Sequence, residues 1–303
     1  MAIRVPGLII PPLTPFTKEY KVDYDALRRE IDYIVQRCNP SAITAAGVEA
    51  QEYQYLSMEE RKELIHKTVE FTDRRCPVVV GVSHPSIRTV IELCKEAERV
   101  DAEAVQLLAP LRPFGGKPSA RQLIDYFGEA AKNTSLPVLC YLNAGPGADV
   151  PPETLVEIAR IESVKYFKES SRDMRRVGRL IEEIDHAGLA SYFTTNEMLL
   201  PTLMLGGSGA TMPPPLATVA AGVLKAFVEG DFRKAAEFQR KFHQFPGKWA
   251  DYGLTPILKY AMRRMGIELG ESYPPFGGLS ASDKEGIDNM IENIGLIRIA
   301  GKQ

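Results

Sequence analysis

The segments Ser-Ala-Ile-Thr-Ala-Ala at residues 41–46 and Pro-Val-Val-Val-Gly-Val at residues 77–82 enclose a stretch of helical periodicity. Both segments are short, apolar and rich in β-branched or small residues, which is typical of strands buried in a parallel sheet. Between them, Ser57 and Glu60 form a capping-box pattern ahead of an apolar stripe that includes Leu64. The three segments together predict a strand–helix–strand unit, the building block of α/β proteins.

The same alternation runs through the first three quarters of the chain. Its strand-like runs are residues 7–11, 41–46, 77–82, 104–109, 137–142, 164–168, 190–194 and 209–212. An open, doubly wound sheet would typically have fewer strands and a glycine-rich nucleotide-binding turn after the first one. Eight strands alternating with helices therefore predict an α/β fold of the (β/α)8 TIM barrel type.

The alternation stops near residue 228. Residues 231–245, 254–265 and 282–294 are predicted to be three consecutive helices with no strand between them. We expect a barrel at residues 1–228 and a C-terminal helical extension at residues 229–303 that packs on it, together forming one structural domain.

Composition and charge exclude several classes of function. The formal net charge is −2 with both signs mixed throughout, so no basic patch predicts binding to nucleic acid. No stretch offers about 20 apolar residues for a membrane span, and the first residues do not resemble a secretory signal. We therefore expect a cytoplasmic protein with no membrane partner. The four cysteines and four histidines are scattered without metal-binding spacing, so neither a metal nor a cofactor is expected.

In a TIM barrel the reacting groups lie at the carboxyl ends of the strands. Lys168, in the run Tyr-Phe-Lys-Glu-Ser, is the unusual residue there, because a lysine late in a buried strand must find a partner or lose its charge. Period-2 alternation predicts that Val164, Tyr166 and Lys168 share one face. If that face is the barrel interior, burial lowers the pKa of Lys168 and makes it a nucleophilic amine. The alternative is a lysine held in a structural ion pair.

Other residues near strand ends are weaker candidates. Tyr141 ends the fifth predicted strand, where its phenol is placed to move protons, although most strand tyrosines only pack their rings. Thr14 follows the first strand and is a candidate for orienting a substrate. The glycine-rich stretch at residues 205–209 precedes the eighth strand. It is therefore expected on the opposite face of the barrel, as a helix-ending turn and not as a phosphate site.

These residues resemble a known family, the dihydrodipicolinate synthase / N-acetylneuraminate lyase group of class I Schiff-base aldolases. Phe-Lys-Glu-Ser-Ser at residues 167–171 is similar to the family's Ile-Lys-Glu-Ala-Ser, which carries the imine-forming lysine. The resemblance covers nearly the whole chain, and its other motifs are residues 12–16, 22–23, 56–61, 200–209 and 256–262. It implies that Lys168 is the nucleophile, that the barrel has a C-terminal helical extension, and that the protein forms a homotetramer or homodimer.

The chain departs from the family where pyruvate is recognised. Family members carry Gly-Thr-Thr-Gly-Glu after the second strand, whereas this chain has Val-Glu-Ala-Gln-Glu at residues 48–52, so Glu49 and Ala50 occupy the substrate-binding positions. A Glu49 carboxylate facing the site is expected to repel a substrate carboxylate and to keep Lys168 charged. The usual arginine after the fifth strand is absent. Arg112 after the fourth strand and Asn143 after the fifth remain as candidates for substrate binding.

The sequence thus predicts a Schiff-base lyase or aldolase acting on a 2-oxo acid or a related small carbonyl compound, and not a true dihydrodipicolinate synthase. Lys168 attacks the carbonyl group and Tyr141 moves protons. One alternative on the same scaffold is a sugar-acid dehydratase with Glu49 or Glu52 as the general base. A second alternative is a barrel that binds a metabolite without turnover.

Overall fold

The computed structural model describes residues 2–50, 52–110, 116–142, 150–244 and 253–296. Eight parallel strands form a closed barrel in which each strand pairs with its neighbours along the chain and β8 pairs with β1. The strands are β1 (Gly7–Ile10), β2 (Ala42–Ala45), β3 (Val78–Gly81), β4 (Ala104–Leu108), β5 (Val138–Leu142), β6 (Val164–Glu169), β7 (Ser191–Thr194) and β8 (Gly209–Thr211). The prediction of a (β/α)8 barrel is confirmed.

Closure of the barrel depends on glycine where β1 meets β8. Gly7 is opposite Gly209 in the register of these two strands. Gly209 has φ +130°, and a Cβ atom added there would overlap the carbonyl oxygen of Gly7. Glycine alone combines that backbone angle with so close an approach. The glycine-rich stretch thus lies at the amino end of β8, as expected, and Gly206 adopts a positive φ after the preceding helix.

Helices connect the strands and cover the barrel. They are α1 (Tyr24–Arg37), α2 (Met58–Thr72), α3 (Ile87–Arg99), α4 (Ala120–Lys132), α5 (Pro152–Ala159), α6 (Met174–Leu180), α7 (Leu199–Met204) and α8 (Pro214–Val228). The predicted capping box of Ser57 and Glu60 begins α2, where each side chain bonds the backbone of the other residue. Across the described ranges, no helix is both long enough and apolar enough to cross a bilayer.

The residues after α8 form α9 (Phe232–Gln239), α10 (Leu254–Arg264) and α11 (Ala281–Ile294). The first of these is shorter than predicted, because the chain tightens into a 3-10 turn at Arg240–Gln244. Helix α9 packs on α8, and α10 contacts both α8 and α11. The division into residues 1–228 and 229–303 as parts of one structural domain stays a prediction.

The apolar residues form two layers. The inner layer fills the barrel and includes Ile9, Val79 and Phe193, whereas the larger outer layer lies between the strands and the helices. Strand β6 changes layers at a bulge, because Val138 is opposite Val164 but Leu139 is opposite Tyr166. Val164 therefore belongs to the outer layer. The predicted alternation, which placed it on the same face as Lys168, is wrong for Val164 and right for Tyr166.

A buried ion pair joins the C-terminal helices to the barrel. Lys259 of α10 is 2% exposed, and its Nζ lies 2.8 Å from Oε2 of Glu52 in the segment after β2. The same nitrogen donates a hydrogen bond to the carbonyl oxygen of Glu271 and lies 4.5 Å from the centre of the Phe16 ring. Glu52 Oε1 accepts a hydrogen bond from the backbone N–H of Tyr273. Both oxygens of the Glu52 carboxylate therefore contact structural partners, Lys259 and the backbone of Tyr273. These contacts do not support the interpretation of Glu52 as a general base.

A second buried carboxyl group lies beside this pair. Glu30 of α1 is completely buried, and its Oε1 accepts a hydrogen bond from the backbone N–H of Leu13. Burial raises the pKa of Glu30 to about 8, and the positive charge of Lys259 opposes that shift. Lys259 is thus the cation that compensates two acidic groups at once, those of Glu52 and Glu30.

We predict that Lys259→Met destabilises the protein by about 3–5 kcal/mol, because it leaves the Glu52 carboxylate buried without a cation. The midpoint of urea unfolding, measured at fixed protein concentration, tests this. The double variant Lys259→Met/Glu52→Gln should recover part of the loss. The matched control is Lys67→Met, which removes an exposed ion pair with Glu70 and should cost less than about 1 kcal/mol. Equal losses in the two single variants would contradict the prediction.

Candidate active site

Lys168 lies near the carboxyl end of β6 and points into the barrel. It is 2% exposed, and in the sheet it lies opposite Tyr141 of β5 and Phe193 of β7. Its Nζ lies 5.0 Å from the centre of the Tyr141 ring, and both Tyr141 and Phe193 belong to the inner apolar layer. The side chain therefore has the inward direction that an amine nucleophile at the barrel mouth requires.

Burial lowers the pKa of Lys168 to about 8, because the surroundings solvate the ammonium poorly. The charges of Glu49, Glu169 and Glu197 oppose this shift, and that of Arg172 supports it. Among the described residues none of these carboxylates forms an ion pair with Lys168. Glu169 instead pairs with Arg176 and Tyr192 on the outer side of the barrel, and Glu197 pairs with Arg172. Within the described ranges, the structural ion pair that was the alternative for Lys168 is thus not formed.

Tyr141 and Lys168 are connected through a serine hydroxyl. The Lys168 Nζ donates a hydrogen bond to Ser170 Oγ at 3.1 Å, and the Tyr141 hydroxyl lies 3.3 Å from the same oxygen. Burial raises the pKa of Tyr141, so its phenol stays neutral and able to donate a proton. Ser170 is not among the residues predicted from the sequence. It could have been found there, because it stands two residues after Lys168, at a position where the family sequence has alanine.

A carboxyl group approaches Lys168 from the segment after β2. Glu49 lies in the 3-10 turn Val48–Ala50, and its charge acts on Lys168 more strongly than any other. Gln106 of β4 holds this turn, since its Oε1 accepts the backbone N–H of Val48 at 3.0 Å and its Nε2 donates to Glu49 Oε2 at 3.3 Å. The other carboxyl oxygen, Glu49 Oε1, is buried and has no hydrogen-bond partner within the described residues.

Burial raises the pKa of Glu49, although the positive charge of Lys168 opposes the shift. Burial therefore favours the neutral acid form of Glu49 and the neutral amine form of Lys168 together. The negative charge of Glu49 favours the charged form of Lys168, in the expected direction, but desolvation is the larger influence and the pKa of Lys168 is lowered. The role of Glu49 stays a prediction. A neutral carboxylic acid donates a hydrogen bond and does not repel a substrate carboxylate.

The other residues predicted to bind substrate fall into two groups, those that the structure describes and those that lie outside the described residues. Thr14 is buried after β1, and Ala50 ends the turn that contains Glu49; the roles of both stay predictions. Arg112 and Asn143 lie outside the described residues. Ser83, which follows β3, accepts a hydrogen bond from the backbone N–H of Leu108 at 2.9 Å and so joins the ends of β3 and β4.

Other buried polar atoms near the carboxyl ends of the strands have no partner within the described parts of the chain. They are Thr195 Oγ1 and Asn196 Nδ2 after β7, and Thr211 Oγ1 at the end of β8. Buried polar atoms in folded proteins nearly always form hydrogen bonds. This end of the barrel is therefore suited to a small molecule with several polar groups.

A cavity of about 430 Å³ lies beside the ends of β3 and β4. Its wall includes Tyr53, Arg61 and Leu108, and Leu108 is opposite Tyr141 in the sheet register. Arg61 is 5% exposed and donates hydrogen bonds to the carbonyl oxygens of Ser83 and Gly81. No group of three or more His, Cys, Asp or Glu side chains in the described ranges is arranged to hold a metal ion.

The chain has clear relatives. It is 31% identical over 296 residues to a 4-hydroxy-tetrahydrodipicolinate synthase from Methanocaldococcus jannaschii, an alignment that covers 94% of this chain and 97% of the relative. It is 25% identical over 305 residues to a probable 2-dehydro-3-deoxy-D-pentonate aldolase from Escherichia coli K12, which covers 97% of this chain and 98% of that protein.

Solved structures share the fold. A prophage protein from Escherichia coli K12, of the dihydrodipicolinic acid synthase family and solved in complex with pyruvate, matches with a TM-score of 0.87 and 25% identity. The match covers 96% of this chain and 99% of that one. The sequence model of the dihydrodipicolinate synthetase family matches residues 4–294. The resemblance read from the sequence motifs is confirmed: the chain belongs to the dihydrodipicolinate synthetase family.

Proposed function

We propose that this protein is a lyase that binds a 2-oxo acid or a related small carbonyl compound as a Schiff base on Lys168. The observation that carries the proposal is the state of that lysine, which is buried in the barrel mouth, has a pKa lowered to about 8 and lacks an ion pair in the described structure. Free lysine is almost entirely protonated at neutral pH, so a lowered pKa is what an amine nucleophile needs. The relatives described as an aldolase and as a pyruvate complex support the same class of substrate.

The chemistry follows from the arrangement of three side chains. The neutral amine of Lys168 attacks the carbonyl carbon, and loss of water leaves a protonated imine. The imine accepts electrons when a neighbouring carbon–carbon bond breaks, or when a proton leaves the adjacent carbon, and an enamine results. Protons must then be returned to that carbon. The neutral phenol of Tyr141, joined to Lys168 through the Ser170 hydroxyl, is placed for this task.

The physiological substrate is proposed to differ from that of dihydrodipicolinate synthase. The hydroxyl groups that hold the pyruvate carboxylate in the family are replaced here by Glu49 and Ala50. A homotetramer or homodimer, and a cytoplasmic location, are proposed on the resemblance and the composition alone.

The first test is chemical trapping. Protein incubated with pyruvate and borohydride should gain a reduced adduct on Lys168, located by peptide mass spectrometry, and Lys168→Ala should abolish it. Lys165→Ala is the matched control, because Lys165 lies in the same strand but is exposed, and this variant should be labelled like the wild type. An unlabelled Lys168 across a panel of 2-oxo acids, aldehydes and ketones would reject the proposal.

The rate of adduct formation should depend on pH in a defined direction. Below a pH of about 8 the amine is mostly protonated, so the rate should fall about tenfold for each unit of acidification. Above that pH protonation of Lys168 no longer limits the rate. An unperturbed lysine would instead give a rate that still rises beyond pH 10.

Tyr141→Phe and Ser170→Ala should slow proton transfer by about 10²–10⁴-fold while Lys168 can still be trapped. Exchange of the methyl protons of pyruvate with deuterium from the solvent, followed by NMR, measures that transfer without knowledge of the physiological substrate. Tyr166→Phe is the matched control, since Tyr166 lies on the inner face of the same strand as Lys168 but contributes no hydroxyl to the relay. Exchange at the wild-type rate in Tyr141→Phe would exclude Tyr141 from the mechanism.

A further inference from the structure

Glu49 has a feature that packing does not explain. The residue is partly exposed, yet its Oε1 is buried and without a hydrogen-bond partner in the described part of the chain. It lies in the turn after β2, at the same end of the barrel as Lys168, and its charge has the largest charge effect on the pKa of Lys168. A carboxyl oxygen kept free at this position is available to a bound molecule.

The surrounding hydrogen bonds show which oxygen can carry a proton. Gln106 must direct its carbonyl oxygen at the backbone N–H of Val48, so its amide nitrogen faces Glu49 and donates to Oε2. Oε2 is thereby used as an acceptor. The proton of a neutral Glu49 then belongs on Oε1, the oxygen left free.

The protonation states of Lys168 and Glu49 are coupled, because each group's charge acts on the other. A buried ammonium and carboxylate carry the same total charge as a buried amine and carboxylic acid, so the pair can change between these forms without exchanging protons with solvent. Burial shifts the pKa of Glu49 upward and that of Lys168 downward, so it acts on both groups in the direction of their neutral forms. The other charges that act on Lys168 are Glu169, Arg172 and Glu197, and the phenols that face Glu49 are Tyr53 and Tyr141.

We infer that Glu49, through its unpartnered carboxyl oxygen Oε1, is the catalytic residue that protonates the carbinolamine hydroxyl formed on Lys168. The inference rests on the proposed function, since it requires that Lys168 attacks a carbonyl group. It assigns a chemical task to the residue that replaces the family's carboxylate-binding hydroxyls.

Imine formation on Lys168 then proceeds through a neutral carbinolamine. The lone pair of Lys168 Nζ forms the new C–N bond, the carbonyl π electrons move to oxygen, and a proton passes from nitrogen to that oxygen to give a neutral carbinolamine. Glu49 then donates the proton of Oε1 to the hydroxyl, the C–O bond breaks, and water leaves while the nitrogen lone pair completes the C=N bond. A protonated imine and a Glu49 carboxylate remain, with opposite charges. Hydrolysis of the imine reverses these events and returns the proton to Glu49.

Glu49→Gln distinguishes this role from simple electrostatics, because the two predict opposite signs. If Glu49 acted only as a negative charge, its removal would lower the pKa of Lys168 further and leave more of the amine neutral, so electrostatics alone predicts faster imine formation at pH 7. Loss of a proton donor predicts slower formation, by about 10²–10⁴-fold. The measurement is the rate of the borohydride-trapped pyruvate adduct across pH.

A second variant separates catalysis from folding. Glu49→Ala leaves a space that formate can enter, so added formate should restore adduct formation, whereas Glu49→Gln fills that space and should not respond. Slow trapping in Glu49→Gln together with rescue of Glu49→Ala supports the inference. Trapping of Glu49→Gln at or above the wild-type rate overturns it, and so does a slow Glu49→Ala that formate does not rescue. In both cases the wild-type adduct on Lys168 stands, whereas a wild type that forms no adduct overturns the proposed function itself.

Discussion

The cost of keeping a charge out of water is the constraint on which the proposed chemistry depends. Lys168 is buried in the barrel mouth without an ion pair in the described structure, so its ammonium is solvated poorly and its pKa falls to about 8. Elsewhere in the molecule the same cost is met by pairing, as with Lys259 and Glu52. Burial lowers the pKa of both lysines, but among the described residues only Lys259 has an ion-pair partner. The unpaired Lys168 is therefore the one proposed to react.

The barrel sets the geometry around that amine. Parallel strands end on one side, so β2, β5, β6 and β7 bring Glu49, Tyr141, Lys168 and Glu197 to a common mouth although they are far apart in the chain. The register between β5 and β6 matters in particular. The bulge near Val164 shifts the pairing by one residue, and Tyr141 thereby lies beside Lys168 on the inner face.

Two segments of the site carry side chains that differ from the family pattern. Relative to the family pattern, the segment after β2 has lost its hydroxyl groups and gained the carboxyl of Glu49, whereas β6 is followed by Ser170 in place of alanine. The serine hydroxyl now connects the phenol of Tyr141 to the amine of Lys168. Both changes alter the polar groups around a retained lysine.

The sequence by itself determined the eight strands, the capped helices, the barrel class and the identity of Lys168 as the unusual residue. These follow from local periodicity, from turn and cap chemistry and from motif resemblance. Only the tertiary structure decided which groups meet. It showed that Glu52 pairs with Lys259, and that Gln106 holds one oxygen of Glu49 while the other has no partner among the described residues. It also showed that Val164 lies in the outer layer. The physical reason is that desolvation and hydrogen bonding depend on neighbours from distant parts of the chain and on strand register, which no local pattern encodes.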